Sequence, residues 1–371
     1  MLIGIPREIA DGETRVAATP ETVKKILAKG LHRVIVESGA GSKCSIPDAD
    51  YVAQGATIVE SKTDVYGADI ILKVRGPIEG ELGLIRKDQV VIALLQPHLE
   101  SELLQLASTG ATGFAMEKLP RISRAQSMDV LSSQANLAGY KAVLMAANEY
   151  DRIMPMLMTA AGTVKAARVV VMGVGVAGLQ AIATAKRLGA VVEATDVRPE
   201  TKEQVESLGA KFIEVPLTDE ERELAKGEGG YAKEMGEDYR RRQSELVAER
   251  IKQSDIVITT ALIPGRPAPV LVSEEMVKSM KPGSVIVDMA VSQGGNCPLS
   301  ELDQTVEKYG VKIIGIGNIP ATVAADASAL YARNLFNFLE LILNKDSGSI
   351  EINREDEVVE GALACIDGNL K

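Results

Sequence analysis

The sequence predicts an α/β protein with two domains, each built on a parallel sheet, with a cleft between them. Short apolar runs alternate with amphipathic stretches along the chain, and 371 residues are too many for one ordinary core. A complete G-x-G-x-x-G sequence also follows one of the apolar runs. Together these observations predict two Rossmann-like domains, the first of them discontinuous in sequence.

The first half of the chain has the pattern of an α/β unit. Its apolar runs predict strands over residues 2–5, 33–36, 70–74, 90–95 and 111–116. After the first run, Thr19 can cap a helix that has Pro20 at its first position and ends at Gly30. From Ser127 to about Tyr150, apolar residues recur at helical spacing without a proline, which predicts one long helix leading out of the first domain.

The glycine-rich turn lies within residues 168–178, Arg-Val-Val-Val-Met-Gly-Val-Gly-Val-Ala-Gly. Gly173 suits the tight turn, Gly175 lets the backbone approach a pyrophosphate, and Gly178 lets the following helix pack closely on the strand. The next apolar run ends in Asp196, eighteen residues after Gly178, where a carboxylate can meet the hydroxyls of an adenosine ribose. Strand, turn, helix, strand and acid in this order predict a dinucleotide-binding site.

The remaining pattern sets the expected domain boundaries. Strands of the second domain are predicted over residues 168–172, 191–195, 211–215, 256–260, 285–288 and 312–316. The apolar helix over residues 324–343 has no predicted strand after it and is expected to pack on the first domain. We therefore expect a first domain of residues 1–138 and 323–371, and a dinucleotide-binding Rossmann domain of residues 139–322.

Residues 216–235 form a polar segment that includes Gly227, Gly229 and Gly230 before Tyr231. A loop of this length without regular structure is typical of a lid, a binding loop or a disordered insertion. The glycines permit hinge motion beside an aromatic ring, in a chain with only 3% aromatic residues, which favours a flap that closes on a planar ligand. A solvated insertion is the alternative.

Composition restricts the class of protein. The net charge of −10 argues against a nucleic-acid surface, and the three cysteines lack the spacing of a disulfide framework or a metal site. A reducing cytoplasm is therefore expected, and no uncharged apolar run is long enough to span a bilayer. The methionines of residues 154–158 and the final apolar helix could form contact surfaces, but core packing is favoured for both.

Five segments carry a family resemblance: residues 121–129 (RISRAQSMD), 173–180 (GVGVAGLQ), 195–198 (TDVR), 229–235 (GGYAKEM) and 259–265 (TTALIPG). With these motifs in this order, essentially the whole chain resembles the NAD(H)-binding component of proton-translocating nicotinamide nucleotide transhydrogenases. The wider superfamily includes the alanine dehydrogenases, which are similar in fold and share a segment comparable to residues 13–17.

The resemblance implies a set of site residues. Arg121, Gln126, Asp129 and Tyr231 would orient the reactive nicotinamide ring of NAD(H), and capping of the long helix is the alternative role of Asp129. The acid at 196 favours NAD over NADP because it repels a 2′-phosphate, although the neighbouring arginine weakens that preference. Further nucleotide contacts are implied for Ile122, Ser123, Ser127, Met128, Ser132, Gly173, Gly175, Val176, Gly178, Asp196, Val197, Arg198, Gly230, Gln243 and Leu262.

Two alternatives to a transhydrogenase are open: an alanine dehydrogenase and a module that binds NADH without catalysis. Arg15, Lys73 and His98 resemble positions that bind or polarise the oxo-acid in alanine dehydrogenase, but Ser292 stands where that enzyme family has an aspartate. A serine cannot replace a carboxylate near neutral pH, which favours the transhydrogenase interpretation and gives Arg15 a structural ion pair. The other alternative is a module that senses NADH without catalysis.

The resemblance also implies an activity that needs partners. This chain and its partner subunits would form an NAD(P)⁺ transhydrogenase that passes hydride directly between NADH and NADP⁺, with Si–Re specificity. NADP(H) would bind to a beta subunit, and a separate membrane-spanning subunit would couple the transfer to proton translocation. The chain itself is expected to be a homodimer, peripheral on the inner face of the cytoplasmic membrane, with neither a metal nor nucleic acid.

Overall fold

The structure, a computed structural model, describes residues 1–198, 200–215, 237–263 and 265–371. These residues form two compact units. The first comprises Met1–Leu137 with Pro320–Lys371, and the second comprises the described part of Ala138–Ile319. None of the helices in the described ranges is both long and apolar enough to cross a membrane.

The strands, in chain order, are β1 (Leu2–Ile5), β2 (Arg33–Glu37), β3 (Thr57–Val59), β4 (Ile70–Arg75), β5 (Val90–Leu94), β6 (Thr112–Ala115), β7 (Leu157–Thr159), β8 (Gly162–Val164), β9 (Arg168–Met172), β10 (Val191–Thr195), β11 (Lys211–Phe212), β12 (Ile256–Thr259), β13 (Val285–Asp288), β14 (Gln304–Lys308), β15 (Val311–Gly315), β16 (Leu363–Ile366) and β17 (Asn369–Leu370). The α-helices are α1 (Pro20–Leu27), α2 (Asp48–Ala53), α3 (Lys62–Val65), α4 (Glu100–Ser108), α5 (Val130–Glu149), α6 (Val176–Arg187), α7 (Thr201–Ser207), α8 (Glu237–Gln253), α9 (Glu274–Ser279), α10 (Ala324–Ile342) and α11 (Glu357–Ala362).

Each unit is built on one large sheet, and the two sheets share a strand order. The first runs β3-β2-β1-β4-β5-β6-β16-β17 and the second runs β11-β10-β9-β12-β13-β15-β14. The first six strands in each order are parallel, as in a dinucleotide-binding fold with the spatial order 3-2-1-4-5-6. The predicted α/β class with Rossmann-like sheets is confirmed, except that both sheets end in antiparallel strands.

The central strands are apolar on both faces because helices cover both sides of a parallel sheet. Every residue of β12 and β13 is buried, including the polar Thr259 and Asp288 at their carboxyl ends. Apolar clusters lie on the two faces of each sheet, one pair of clusters per unit. In the first unit, the rings of Phe114 and Phe338 meet edge to face with centroids 5.1 Å apart. A search for alternating apolar and polar residues would not identify these strands, because their apolar residues form continuous runs.

Some sequence-based expectations were wrong. Strands do follow the final helix: β16 pairs antiparallel with β6 and is followed by β17. The long helix begins at Val130, because residues 123–128 form a 3-10 turn instead of continuing the helix. The strand predicted over residues 211–215 is limited to Lys211–Phe212. The polar segment of residues 216–235 lies outside the described residues.

The two candidate contact surfaces have different environments. In α10, Tyr331, Leu335 and Phe338 are fully buried, so core packing of the final helix is confirmed. In residues 154–158, core packing is confirmed for Met154, which is buried in the core of the second unit, but was wrong for Met156 and Met158, which are 60% and 72% exposed beside or within the β7–β8 hairpin. A two-stranded hairpin buries few of its own side chains, and these methionines have no layer of described structure above them.

Candidate functional site

The glycine-rich turn joins β9 to α6 in the second unit. Gly173 has φ +97°, a conformation that favours glycine, and its carbonyl oxygen accepts a hydrogen bond from Thr260 Oγ1 at 3.0 Å. A Cβ on Gly178 would lie only 1.9 Å from that same carbonyl oxygen, so any larger residue would push the helix off the turn. At Gly175, at the start of α6, the position of a Cβ is open space as far as the described residues are concerned. An anionic group can therefore approach the N–H groups of the first helical turn.

Asp196 follows directly after β10 and contacts the glycine-rich turn. Its Oδ2 accepts a hydrogen bond from the backbone N–H of Val174 at 2.6 Å, and the Arg198 side chain forms an ion pair with it. Burial raises the pKa of Asp196, but the hydrogen bonds from Arg198 and from Val174 outweigh it and hold this pKa below its ordinary value. Asp196 is therefore a fixed anion at the carboxyl ends of the strands.

A cavity of about 270 Å³ lies beside this carboxylate within the second unit. Its predicted lining residues are Gly173, Asp196, Val197 and Gln243, which the structure brings together from three separate segments. The other lining residues were not predicted from the sequence: Met172, Thr195, Ser244, Val247, Ala261, Val270, Leu271 and Met276. Apolar lining residues carry no sequence signal of their own, because they have the same types as core residues. Several of them lie at the carboxyl ends of strands or on α8 and α9, and the position at strand ends is the signal that could have identified them.

One wall of the cavity is fixed by a buried polar network, which the sequence did not predict either. Asn296 is fully buried, and its side chain accepts a hydrogen bond from the N–H of Ala261 at 3.1 Å. The same side chain donates to the carbonyl oxygens of Ala261 and Pro269, at 2.9 and 2.8 Å. Asp288, also fully buried, accepts from the N–H groups of Asn296 and Cys297. This network holds the segment after β12 against the cavity.

Other predicted residues of the second unit lie apart from the lining. Val176, at the start of α6, is 39% exposed, and Leu262, one residue beyond the lining residue Ala261, is 45% exposed. Gly230 and Tyr231 fall outside the described residues, so the flap stays a prediction.

The predicted nicotinamide-binding residues of the first unit lie on one short stretch of chain. Residues 123–128 form the 3-10 turn, on which Gln126 is exposed and Met128 is buried. The carbonyl oxygen of Ser127 accepts hydrogen bonds from the amide groups of Asn334 and Asn337 at 2.8 and 2.9 Å, so α10 supports the turn.

Around this turn, Arg121 and Ser123 are more accessible than Ile122, which packs against the core. Asp129 caps α5, since its carboxylate accepts from the N–H and the hydroxyl of Ser132 at 2.9 and 2.6 Å. The capping role considered for Asp129 is therefore present in the structure. Among the predicted site residues of this stretch, Arg121, Ser123, Gln126 and Ser127 are exposed and can still face a ligand.

The residues that resemble an oxo-acid site are occupied by contacts within the first unit. Arg15 is buried, and its guanidinium donates to both carboxylate oxygens of Glu13 at 2.7 Å and to Gln134 at 2.8 Å. Burial raises the pKa of Glu13, but the hydrogen bonds and charge of Arg15 outweigh this effect and lower it to about 2. Lys73 is buried between Glu8 and Glu81, at 3.2 and 3.0 Å.

His98, the third residue of that group, is exposed. The ion pair of Arg15 with Glu13 confirms the structural role predicted for Arg15. The two buried cations are each compensated by carboxylates of the same unit, which is typical of a structural network.

The strand order, the glycine-rich turn and the acid after β10 define a two-unit α/β protein of the dinucleotide-binding class. Residues 4–138 match the family model described as alanine dehydrogenase/PNT, N-terminal domain, and residues 142–371 match the model of the C-terminal domain. The chain belongs to this family. Among its relatives is an NAD(P) transhydrogenase subunit alpha polypeptide of Rhodospirillum rubrum, 55% identical over 99% of this chain and 97% of that protein.

A solved structure of transhydrogenase from Sinorhizobium meliloti is 51% identical, covers both chains completely and superposes with a TM-score of 0.90. Alanine dehydrogenase from Methanococcus maripaludis is 31% identical over 93% of this chain and 88% of that protein. The chain therefore belongs with the transhydrogenase alpha subunits within the family, which confirms the resemblance seen in the sequence.

Proposed function

We propose that this chain binds NAD(H) and is the subunit of an NAD(P) transhydrogenase that exchanges hydride with NADP(H) on a partner subunit. The observation that supports this most directly is the hydrogen bond of 2.6 Å between the N–H of Val174 and Asp196. It joins the phosphate-binding turn to the ribose-binding acid at the edge of the cavity. This juxtaposition is what a dinucleotide requires, because its pyrophosphate and adenosine ribose are adjacent.

The residues of the second unit fit the adenosine half of NAD(H). The open space at Gly175 and the N-terminus of α6 suit the pyrophosphate, and Asp196 suits the ribose hydroxyls. The cavity beside them, lined by Val197 and Gln243 among others, suits the adenine base. We extend the same role to Val176 and Leu262, which are exposed near this site.

For the nicotinamide half, we assign the turn of residues 121–129 with Ser132. An amide such as Gln126 can pair with both the donor and the acceptor of a carboxamide, and Arg121 can bridge to a ribose or phosphate. Bound NAD(H) supplies the hydride chemistry itself. The contribution of the chain is to orient the ring and exclude water, since transfer between two nicotinamides needs no proton donor. Asp129 would hold the turn in place through its cap of α5. Tyr231 and Gly230 complete the proposal as a flap over the ring.

Alanine dehydrogenase is the competing function, and the first unit argues against it. Oxidation of an amino acid needs a cation for the substrate carboxylate and a group that accepts a proton. Here the guanidinium of Arg15 is neutralised by Glu13, and Lys73 is neutralised by two glutamates. Ser292 also stands in place of the expected acid. The sequence identity of 31% to the Methanococcus maripaludis alanine dehydrogenase agrees with a shared fold and a different substrate.

The proposal extends to the whole assembly. We infer that NADP(H) is held by a beta subunit, that a membrane-spanning subunit couples the transfer to proton translocation, and that the transfer is Si–Re specific. We also infer that this chain is a homodimer located at the inner face of the cytoplasmic membrane. The domain division is included in the proposal: residues 139–322 bind the adenosine half, and residues 1–138 with 323–371 carry the nicotinamide-binding turn.

The test is a reconstituted assay with purified protein. Hydride transfer from NADPH to an NAD⁺ analogue should appear only when the NADP(H)-binding partner is added. Pyruvate, ammonia and NADH without a partner should give no turnover; turnover in that mixture would establish an alanine dehydrogenase instead. If the chain binds NADH tightly but the complete mixture forms no reduced analogue, the chain is a module that senses NADH without catalysis.

A further inference from the structure

The hydrogen bonding of Asp196 shows an unusual feature of the adenosine site. Its carboxylate accepts four hydrogen bonds: from the N–H of Val174 at 2.6 Å, the N–H of Arg198 at 2.9 Å, Nε of Arg198 at 2.9 Å and Nη2 of Arg198 at 3.0 Å. A carboxylate offers about four lone-pair positions. The donors of this chain therefore occupy all of them, and ribose hydroxyls can bind only if a donor leaves.

The four donors are not equally replaceable. Two are backbone N–H groups, which the turn and the strand end hold in place. The other two belong to the Arg198 guanidinium, whose side chain is 51% exposed, whereas that of Asp196 is 6% exposed. The guanidinium is half exposed to water, which can take over its hydrogen bonds, so it is a more readily exchanged donor than either fixed backbone N–H group. Its Nη2 also lies 3.3 Å from the carbonyl oxygen of Val174, which keeps the cation beside the glycine-rich turn.

We propose that the ion pair of Asp196 with Arg198, and not Asp196 alone, determines the selection of NAD(H) over NADP(H) at this site. Asp196 holds the guanidinium away from the ribose 2′ position, and a guanidinium released from the pair binds a 2′-phosphate. The inference rests on the proposed function, since it requires the adenosine ribose to bind at Asp196. Selection matters here because the proposed reaction needs two different nucleotides on two different subunits.

The physical reason lies in the chemistry of the two ligands. Two ribose hydroxyls can donate to the carboxylate in place of the two guanidinium hydrogen bonds without any charge being added, while the hydrogen bond to the carbonyl oxygen of Val174 keeps the guanidinium beside the Asp196 anion. A 2′-phosphate adds negative charge beside Asp196 and can use Arg198 only after the ion pair breaks. An arginine fork suits a phosphate well, because its planar N–H groups form parallel, charge-assisted hydrogen bonds. The chain therefore carries a phosphate-binding side chain that its own acid keeps occupied.

The test uses the full chain and two simple probes, ADP and 2′,5′-ADP, measured by calorimetric titration. Asp196→Asn removes the negative charge and keeps one oxygen to accept from the N–H of Val174. We expect this variant to shift the ratio of the two affinities towards 2′,5′-ADP by about ten- to a hundredfold, the range for a new hydrogen bond to a charged group. The double variant Asp196→Asn/Arg198→Met should lose that shift, because the cation is then absent.

Two further variants make the experiment decisive. Arg198→Met in the native background should widen the preference for ADP, because a 2′-phosphate then meets an uncompensated carboxylate. Arg333→Met is the matched control: its guanidinium is 48% exposed and paired with Glu21 in the other unit, so the ratio should not change. If Asp196→Asn were to misfold, the widened preference of Arg198→Met would still be measurable.

The outcomes separate the two proposals. A shift in Asp196→Asn that disappears in the double variant supports the role of the ion pair. If ADP binds normally but Asp196→Asn leaves the ratio unchanged, or if the double variant keeps the shift, the inference about Arg198 is wrong and the proposed function stands. If the native chain binds neither ADP nor NADH, both proposals fail.

Discussion

Two glycines of the turn, Gly175 and Gly178, allow ligand approach to be tested separately from packing. In Gly178→Ala the added Cβ would lie 1.9 Å from the carbonyl oxygen of Gly173. In Gly175→Ala, apart from the two chain neighbours, no heavy atom of the described residues would lie within 4 Å of the added Cβ. Since Cβ contacts below 3.0 Å are essentially never seen, Gly178→Ala must displace the turn from α6 by at least 1.1 Å, the difference between 3.0 and 1.9 Å.

The two substitutions therefore differ in their expected energies. Overpacking in Gly178→Ala should lower the free energy of unfolding by about 1–3 kcal/mol. At Gly175, φ −80° and ψ −167° suit alanine. Alanine restricts the unfolded chain more than glycine does, which raises the free energy of unfolding by about 0.4–1 kcal/mol. Alanine is the poorer N-cap residue, by about 0.5 kcal/mol, so the net change in Gly175→Ala should stay near zero. The methyl group would nevertheless occupy the space that a pyrophosphate needs, and should weaken NADH binding about ten- to a hundredfold through lost charge-assisted hydrogen bonds.

The assay combines urea unfolding, followed by circular dichroism, with fluorescence titration of NADH. Gly83→Ala in the first unit is the control, because among the described residues its Cβ would also meet nothing within 4 Å. Gly175→Ala should match this control in stability and differ from it in NADH affinity. Native-like affinity in Gly175→Ala would refute the reasoning, since it would show that no phosphate approaches the backbone at this residue.

Three other predictions concern the first unit. Glu13→Gln should lower the free energy of unfolding at pH 7 by about 3–5 kcal/mol, because Arg15 loses its buried partner. Since the pKa of Glu13 is lowered from 4.5 to about 2, its contribution is complete above pH 4.5 and is lost as the pH falls towards 2. Urea unfolding across that range should show the deficit shrinking, and a constant deficit would contradict the assignment. Asn334→Leu removes one of the two donors to the carbonyl oxygen of Ser127 and should weaken NADH binding by about tenfold while leaving ADP binding unchanged. Equal weakening of both in titrations would argue against the nicotinamide role of this turn. His98→Ala should leave the hydride transfer rate of the reconstituted enzyme unchanged, whereas loss of a general acid or base would lower it by about 10²–10⁴-fold.

Much of the fold could be predicted from local sequence patterns. The strands before and after the glycine-rich turn were found because parallel strands buried on both faces are continuous apolar runs. Local sequence patterns did not predict a strand whose pairing partner is distant in sequence. Strand β16 is four residues long and joins the sheet through pairing with β6, about 250 positions earlier in the chain. The 3-10 turn of residues 123–128 was merged into the long helix, because its periodicity resembles that of a helix and its support comes from Asn334 and Asn337.

By itself, the sequence determined the α/β class, the position of the glycine-rich turn and the acid after β10, because each depends on residues within about thirty positions of one another. The tertiary structure decided which apolar residues line the cavity, which cations are neutralised, and that Asp196 is saturated by Arg198 and Val174. Burial and pairing are properties of groups brought together by folding. A sequence shows only that an arginine, a lysine or an aspartate is present, and the charge that each one offers to a ligand depends on what already occupies its hydrogen-bonding positions.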